Sequence, residues 1–482
     1  MPLMTSARYE ESLRKMNRNI YFQGKKLENP VDHPVLRPAM QCLMDTYDMA
    51  FMPEYEDLMT AKSQFTGHKI NRFNNIHKNL DELNKKVKLQ RLMGQRTGSC
   101  FQRCVIMDAA NAFYSTTYEI DQAHGTDYFE KFKKFIIRVQ DEDLIVAGAL
   151  TDPKGDRSQT VGQGQDEDLY LRVVERRPDG VVVNGAKAHL TGITNAHEVI
   201  VLPTQAMKPG QEDYAIAFAI PMDAPGITMI VGRQSCDTRK LENTTIDLGN
   251  ARYGGIEALT VFDHVFVPND RIFLNGETEF AGMLVERFAG YHRNSYGGCK
   301  SGVGDVAIGT AALIAQYNGT ETVSHVKDKL IEMTQLNEQL YCAGIASSTE
   351  GYQTASGNYM VNLLLANVCK LNVTRYPYEI IRMLEDIAGG IMVTAPSEAD
   401  LRSEAVGHYV EKYLVGHGVD AETRLRALRL CENLSLGTAA VGYRTESMHG
   451  AGSPQAQKIM IGRQGNFEGK KALAKRIAGI TK

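Results

Sequence analysis

An α+β fold in three parts follows from two observations: helical periodicity at both ends of the chain and a strand-rich stretch between them. Apolar residues recur every three or four positions over 1–143, form short runs bounded by turn signals over 144–280, and return to helical spacing over 281–482. A chain of 482 residues exceeds what one core supports, so three domains with these boundaries are expected.

In the first part, 82–93 (Glu-Leu-Asn-Lys-Lys-Val-Lys-Leu-Gln-Arg-Leu-Met) is an amphipathic helix. A second helix is expected to start at Thr97 or Ser99, either of which is a good cap. The Tyr21-Phe-Gln-Gly24 string is read as native sequence. In the middle part, Arg177-Pro-Asp-Gly180 is a turn between two strand candidates, 169–175 and 181–183. Further strands are expected at 199–202, 214–220, 227–231 and 259–262. Helices return around Ala311, Leu330, Leu363, Ile380 and Leu425.

Hydrophobic residues make up 43% and charged residues 23% of the chain, an ordinary globular balance. A net charge of -3 argues against a nucleic-acid binder, which would carry a basic stripe. No apolar run reaches membrane-spanning length and the N-terminus turns polar at once, so no membrane association and a cytoplasmic location are expected. Eight dispersed cysteines do not form a disulfide pattern.

Two segments concentrate ligand chemistry. Cys100-Phe-Gln-Arg-Cys104 sets thiols at i and i+4, which share a face if the segment is helical. His292-Arg-Asn-Ser-Tyr296-Gly-Gly-Cys299-Lys300 sets His292, Tyr296 and Cys299 on one helical face. Three thiolates and an imidazole suit zinc or an iron–sulfur cluster, and spacing does not separate the two. Buried core cysteines explain the first pair equally well. Gly297-Gly298 is costly within a helix, so a close approach or a backbone break is expected there.

Three loops complete the set: Leu150-Thr-Asp-Pro-Lys-Gly-Asp-Arg157, Asn184-Gly-Ala-Lys-Ala-His-Leu-Thr-Gly192 and Val265-Phe-Val-Pro-Asn-Asp-Arg-Ile-Phe273. Each alone is an ordinary loop. In this order they resemble the acyl-CoA dehydrogenase architecture: a helical domain, a β-barrel-like domain and a helical bundle around FAD. The chain as a whole resembles the 4-hydroxybutyryl-CoA dehydratase branch, related to the 4-hydroxyphenylacetate 3-hydroxylases. The likeness is specific at the Cys100–Cys104 motif, at Val285-Glu-Arg-Phe-Ala-Gly-Tyr-His-Arg-Asn-Ser-Tyr-Gly-Gly-Cys-Lys300 and at Gly442-Tyr-Arg-Thr-Glu-Ser-Met-His-Gly-Ala-Gly-Ser-Pro454.

The resemblance implies that Cys100, Cys104, Cys299 and His292 hold a four-iron, four-sulfur (4Fe-4S) cluster. It implies active-site roles for Gln102, Thr191, Glu257, Tyr296, Lys300 and Glu446 beside His292. For FAD it points to Thr151, Asp152, Pro153, Lys154, Asp156 and Arg157, to Lys187, His189 and Thr191, and to Ala388, Gly389 and Gly390. One departure is Leu190, where the family pattern leads to a polar residue. A homotetramer is implied, with the last segment reaching a neighbour's flavin.

The implied reaction is dehydration of 4-hydroxybutyryl-CoA to crotonyl-CoA, with vinylacetyl-CoA isomerisation. Only C2 is acidified by the thioester, so loss of the C3 proton calls for one-electron chemistry of the kind a flavin supports. Histidine in place of a fourth thiolate gives an exchangeable position, from which oxygen sensitivity is expected. The rivals are a flavin-dependent hydroxylase or acyl-CoA dehydrogenase-type oxidoreductase in which the cysteines only pack, and a non-catalytic redox protein.

Overall fold

Helices that cross backbone to backbone form the frame on which the cavity is built. A computed structural model describes residues 3–163, 166–233 and 238–480, and Cys236 lies outside them. The Leu80–Thr97 helix begins where the Asn79 side chain accepts from the Glu82 amide at 3.0 Å, and it ends at Gly98, whose φ is 58°. The 40-residue helix Thr278–Tyr317 packs across it. A Cβ on Gly298 would lie 2.3 Å from the Val87 carbonyl oxygen, and one on Gly297 would lie 2.6 Å from Gly344 Cα in the Ser324–Thr349 helix. The Gly297-Gly298 pair therefore marks a close approach on two sides, and the helix does not break. Helices Leu363–Val373, Tyr376–Ala388 and Ala421–Ser435 complete this bundle around Ala307, Ile314, Leu384 and Leu428.

The middle of the chain forms two facing sheets. One has six strands, in the order Lys25–Lys26, Ile20–Phe22, Ile227–Val231, Glu257–Pro268, Gly180–Thr191 and Arg172–Arg177. The other has four: Ile272–Asn275, Ile216–Pro221, Glu198–Val201 and Val146–Ala149. Phe218 of one sheet meets Phe262 of the other at 6.3 Å between ring centroids. Each sheet keeps two edge strands, so the pairing gives two open sheets where a barrel-like closure was expected.

Two other expectations are corrected. The first part is not purely helical, because Ile20–Phe22 pairs in parallel with Ile227–Val231 and turns back through Gln23 and Gly24, both at positive φ. The helix expected to start at Thr97 or Ser99 starts at Cys104 instead, because Gly98 ends the preceding helix and Gln102 holds φ at 66°. Among the described residues, no helix is long and apolar enough to cross a membrane.

Candidate active site

Cys100, Cys104, His292 and Cys299 line one cavity, together with Tyr296, Lys300, Gly442 and Glu446. The cysteines reach it by different routes. Cys299 and His292 share a face of the long helix, as their spacing predicts, whereas Cys100 sits in the loop before the helix Cys104–His124 and Cys104 is that helix's first residue. The loop is pinned from behind. Arg103 is fully buried, pairs with Asp143 at 2.6 Å and stacks 4.4 Å from the Tyr47 ring. The Gln102 amide donates to the Gly254 carbonyl at 2.9 Å, so its nitrogen braces the loop while its buried oxygen has no partner among the described residues.

Cys104 lines the cavity as the first residue of its helix, so the positive end of that helix lies beside it and favours negative charge there. Burial pushes the Cys299 thiol up to about 11 and the Cys100 and Cys104 thiols well above the ordinary value. Thiols in this state release protons on binding a metal. His292 is oriented before any ligand arrives: its Nδ1 lies 2.7 Å from Asp108 Oδ2, and its ring meets Tyr296 edge-on at 5.1 Å.

A proton-handling group stands beside the thiols. Strand register places Glu257 opposite Thr191, whose hydroxyl lies 2.9 and 2.8 Å from the two Glu257 oxygens and 3.4 Å from Glu446 Oε1. Burial, and then the neighbouring Glu446, push the Glu257 carboxyl well above its ordinary value. Lys300 Nζ lies 3.2 Å from Glu446 Oε2 and donates to the Gly442 carbonyl at 2.7 Å. Burial pulls the Lys300 amine downward, yet Glu446 and the surrounding thiols outweigh it and hold the lysine charged. Two carboxylates this close do not both ionise readily, in keeping with the raised Glu257. A π-helical turn, Val441–Thr445, leads into Glu446 and presents the Gly442 carbonyl to Lys300.

Tyr296 is buried, and its hydroxyl has no hydrogen-bond partner among the described residues. Lys300 and Lys370 lie 5.0 and 5.2 Å from its ring centroid. Lys370 also donates to the Ser447 carbonyl at 2.6 Å, one residue from Glu446. Lys370, Lys86 and Asp108 were not singled out in the sequence. A signal was present for Lys86, a lysine within the buried stripe of Leu83, Val87 and Gln90. Asp108 lies at i+4 from Cys104, on the same helical face.

The expected flavin contacts divide into buried and exposed sets. Asp152 and Lys187 pair at 2.9 Å with each side chain 2% exposed, and Asp152 Oδ1 also accepts from the Leu171 amide at 2.9 Å. Both side chains face inward and tie the loop to the sheet. Pro153, Asp156 and Arg157 are exposed, Thr151 and Lys154 are half-buried, and His189 and Thr191 follow Lys187 along the strand. Leu190 points into the main core, which explains an apolar residue where a polar one was expected. Ala388 is buried at the end of its helix, while Gly389 and Gly390 are exposed.

Residues 5–274 match the N-terminal part and residues 281–479 the C-terminal part of the 4-hydroxyphenylacetate 3-hydroxylase family, and the chain belongs to that family. Its place there is the 4-hydroxybutyryl-CoA dehydratase branch, among enzymes of the lyase class with isomerase activity. It is 62% identical to the 4-hydroxybutyryl-CoA dehydratase/vinylacetyl-CoA-Delta-isomerase of Clostridium aminobutyricum, over 99% of this chain and 100% of the relative. A solved structure described as an oxygen-tolerant archaeal 4-hydroxybutyryl-CoA dehydratase from N. maritimus superposes with a TM-score of 0.98 at 54% identity, covering 100% of this chain and 96% of that one. The oxygenase component of a 4-hydroxyphenylacetate 3-monooxygenase, solved with FAD, gives a TM-score of 0.87 at 23% identity over 98% of each chain, a likeness of fold.

Proposed function

We propose that this enzyme dehydrates 4-hydroxybutyryl-CoA to crotonyl-CoA and isomerises vinylacetyl-CoA to the same product, using FAD and a 4Fe-4S cluster in a homotetramer. The observation that carries this reading is the convergence of three thiols, a pre-oriented imidazole and Glu446 on one cavity, with Glu257 linked to Glu446 behind it through the Thr191 hydroxyl. The donor set fits a cluster: the three thiols are soft ligands, Cys104 is the first residue of its helix, and Gly442, whose Cβ would lie 3.4 Å from that of Cys100, leaves room beside them. Cys100, Cys104, Cys299 and His292 would be the ligands. The 151–157 loop and the strand through His189 and Thr191 would hold the flavin, with Asp152 and Lys187 acting indirectly and Gly389-Gly390 supplied by a neighbouring subunit.

When bound, FAD supplies reversible one-electron chemistry and the cluster a Lewis-acidic iron. The chain's own residues handle the protons. Glu446, 3.2 Å from Lys300, takes the C2 proton that the thioester acidifies. Glu257 holds a proton for return to the carbon skeleton, and Thr191 relays between the two carboxyls. His292 turns Nε2 to the cavity, since its Nδ1 is committed to Asp108; that lone pair would bind the metal and, only when released from it, would take the less acidic C3 proton. Tyr296 offers its unpartnered hydroxyl to a substrate oxygen.

Anaerobic purification followed by a visible spectrum, iron and flavin counts and a crotonyl-CoA assay tests the reading. It expects brown protein with about four irons and one flavin per chain, active on 4-hydroxybutyryl-CoA. Yellow, iron-free protein with full dehydratase activity would end it. The archaeal relative is described as oxygen-tolerant, so survival in air does not decide the matter, and the oxygen sensitivity expected of an exchangeable iron is not a property of the whole branch.

A further inference from the structure

We infer that Asp108, backed by Lys86, is the positioning residue that selects which nitrogen of His292 faces the cavity. The inference rests on the cluster reading above and adds the device that makes His292 a ligand. Asp108 is fully buried on the Cys104 helix, where both of its oxygens have polar partners. Its Oδ2 lies 2.7 Å from His292 Nδ1, its Oδ1 lies 2.6 Å from Lys86 Nζ, and the Ser295 hydroxyl lies 2.9 and 3.1 Å from the two oxygens.

The Asp108 oxygens already accept from Lys86 and Ser295, so the contact to Nδ1 is met by a neutral His292 that carries its proton there and leaves the Nε2 lone pair for a metal. Lys86 also donates to the Tyr291 carbonyl at 2.8 Å, one residue before His292. It therefore ties the carboxylate to the backbone that carries the imidazole. Gln90 fixes the Ser295 hydroxyl from the other side at 2.9 Å.

A fully buried lysine–aspartate pair adds little to stability compared with an apolar pair of similar volume, so its presence calls for another purpose. The donor atoms of Cys104, Asp108 and His292 lie within 4.8 Å of one another, close enough for Asp108 to be a ligand itself. Both of its oxygens are already engaged, which assigns it to orientation. Carboxylates that hold a metal-bound histidine in this way change metal affinity or activity by about 10–100-fold when replaced.

Asp108→Asn is the test, because an amide can turn its N–H toward Nδ1 and drive the imidazole proton to Nε2. Pulsed EPR of the reduced holoenzyme reads histidine nitrogen coupling to the cluster directly. The native protein is expected to show it. Asp108→Asn is expected to lose it, as His292→Ala does, with turnover down about 10–100-fold and flavin content unchanged. Asp108→Asn leaves Lys86 as an unpaired buried charge, so the double variant Lys86→Met/Asp108→Asn is measured where the single variant does not fold, with the same loss expected. Native-strength nitrogen coupling in either variant would overturn the inference while leaving the cluster reading intact. A native protein with iron but no nitrogen coupling would remove His292 as a ligand and overturn both.

Discussion

The helical side of the cavity and its sheet side are finished to different degrees. On the helical side, Lys86, Asp108, His292, Arg103 and Lys370 are all held by polar partners within the chain. On the sheet side, the buried pair Asp152–Lys187 anchors a loop whose Pro153, Asp156 and Arg157 stand in solvent, and Gly389-Gly390 lies exposed at the end of its helix. The difference matches the two tasks. The proposed cluster would need ligands fixed to fractions of an ångström, whereas a large planar cofactor such as the proposed flavin can complete its own wall.

Replacing a ligand presses hardest on the helical side. Cys299→Ser keeps the packing beside Gly298, so the fold is expected to survive while the iron content falls and dehydratase turnover drops to the detection limit. A variant that retains native iron and turnover would break the assignment of that wall. Glu446→Gln comes next: kcat is expected to fall by about 10²–10⁴-fold with iron and flavin counts unchanged, the signature of a lost proton acceptor.

Asp152→Ala probes the sheet side. It strands Lys187, a 2%-exposed cation, and removal of one partner from such a pair costs about 3–5 kcal/mol in chemical unfolding. Flavin affinity is expected to fall with it while iron stays bound. Equal losses of flavin and iron would show that the two sides are not independent.

The smallest expected effect is a pH dependence behind Tyr296. Burial, followed by the charges of Arg293 and Lys300, brings the Lys370 amine from its usual 10.5 down to about 7. Between these values the unfolded chain binds the proton that the native fold does not, so this residue makes stability rise with pH across that window. The urea midpoint of the native protein is expected to rise more between pH 7 and 9 than that of Lys370→Met, and identical slopes would contradict the shift.

What the sequence made legible follows the same division. His292, Tyr296 and Cys299 could be placed on one face because helical periodicity is a local property, and Gly297-Gly298 announced a close approach because glycine is costly in a helix without one. Cys100 and Cys104 were expected on a shared helical face, yet Gly98 and Gln102, both at positive φ, put Cys100 in a loop that reaches the cavity from a different direction. Asp108 and Lys86 stayed hidden because their meaning lies in contacts between helices that spacing does not encode. The same holds for Asp152 and Lys187, which the resemblance offers as flavin contacts and the fold turns inward to each other.

Mössbauer spectroscopy of iron-57-loaded, anaerobically purified protein tests the central claim most directly. Three thiolates and one imidazole predict a cluster in which one iron is distinct from the other three and shifts when 4-hydroxybutyryl-CoA is added. Four equivalent irons that ignore the substrate, or no cluster signal in dehydratase-active protein, would contradict the account.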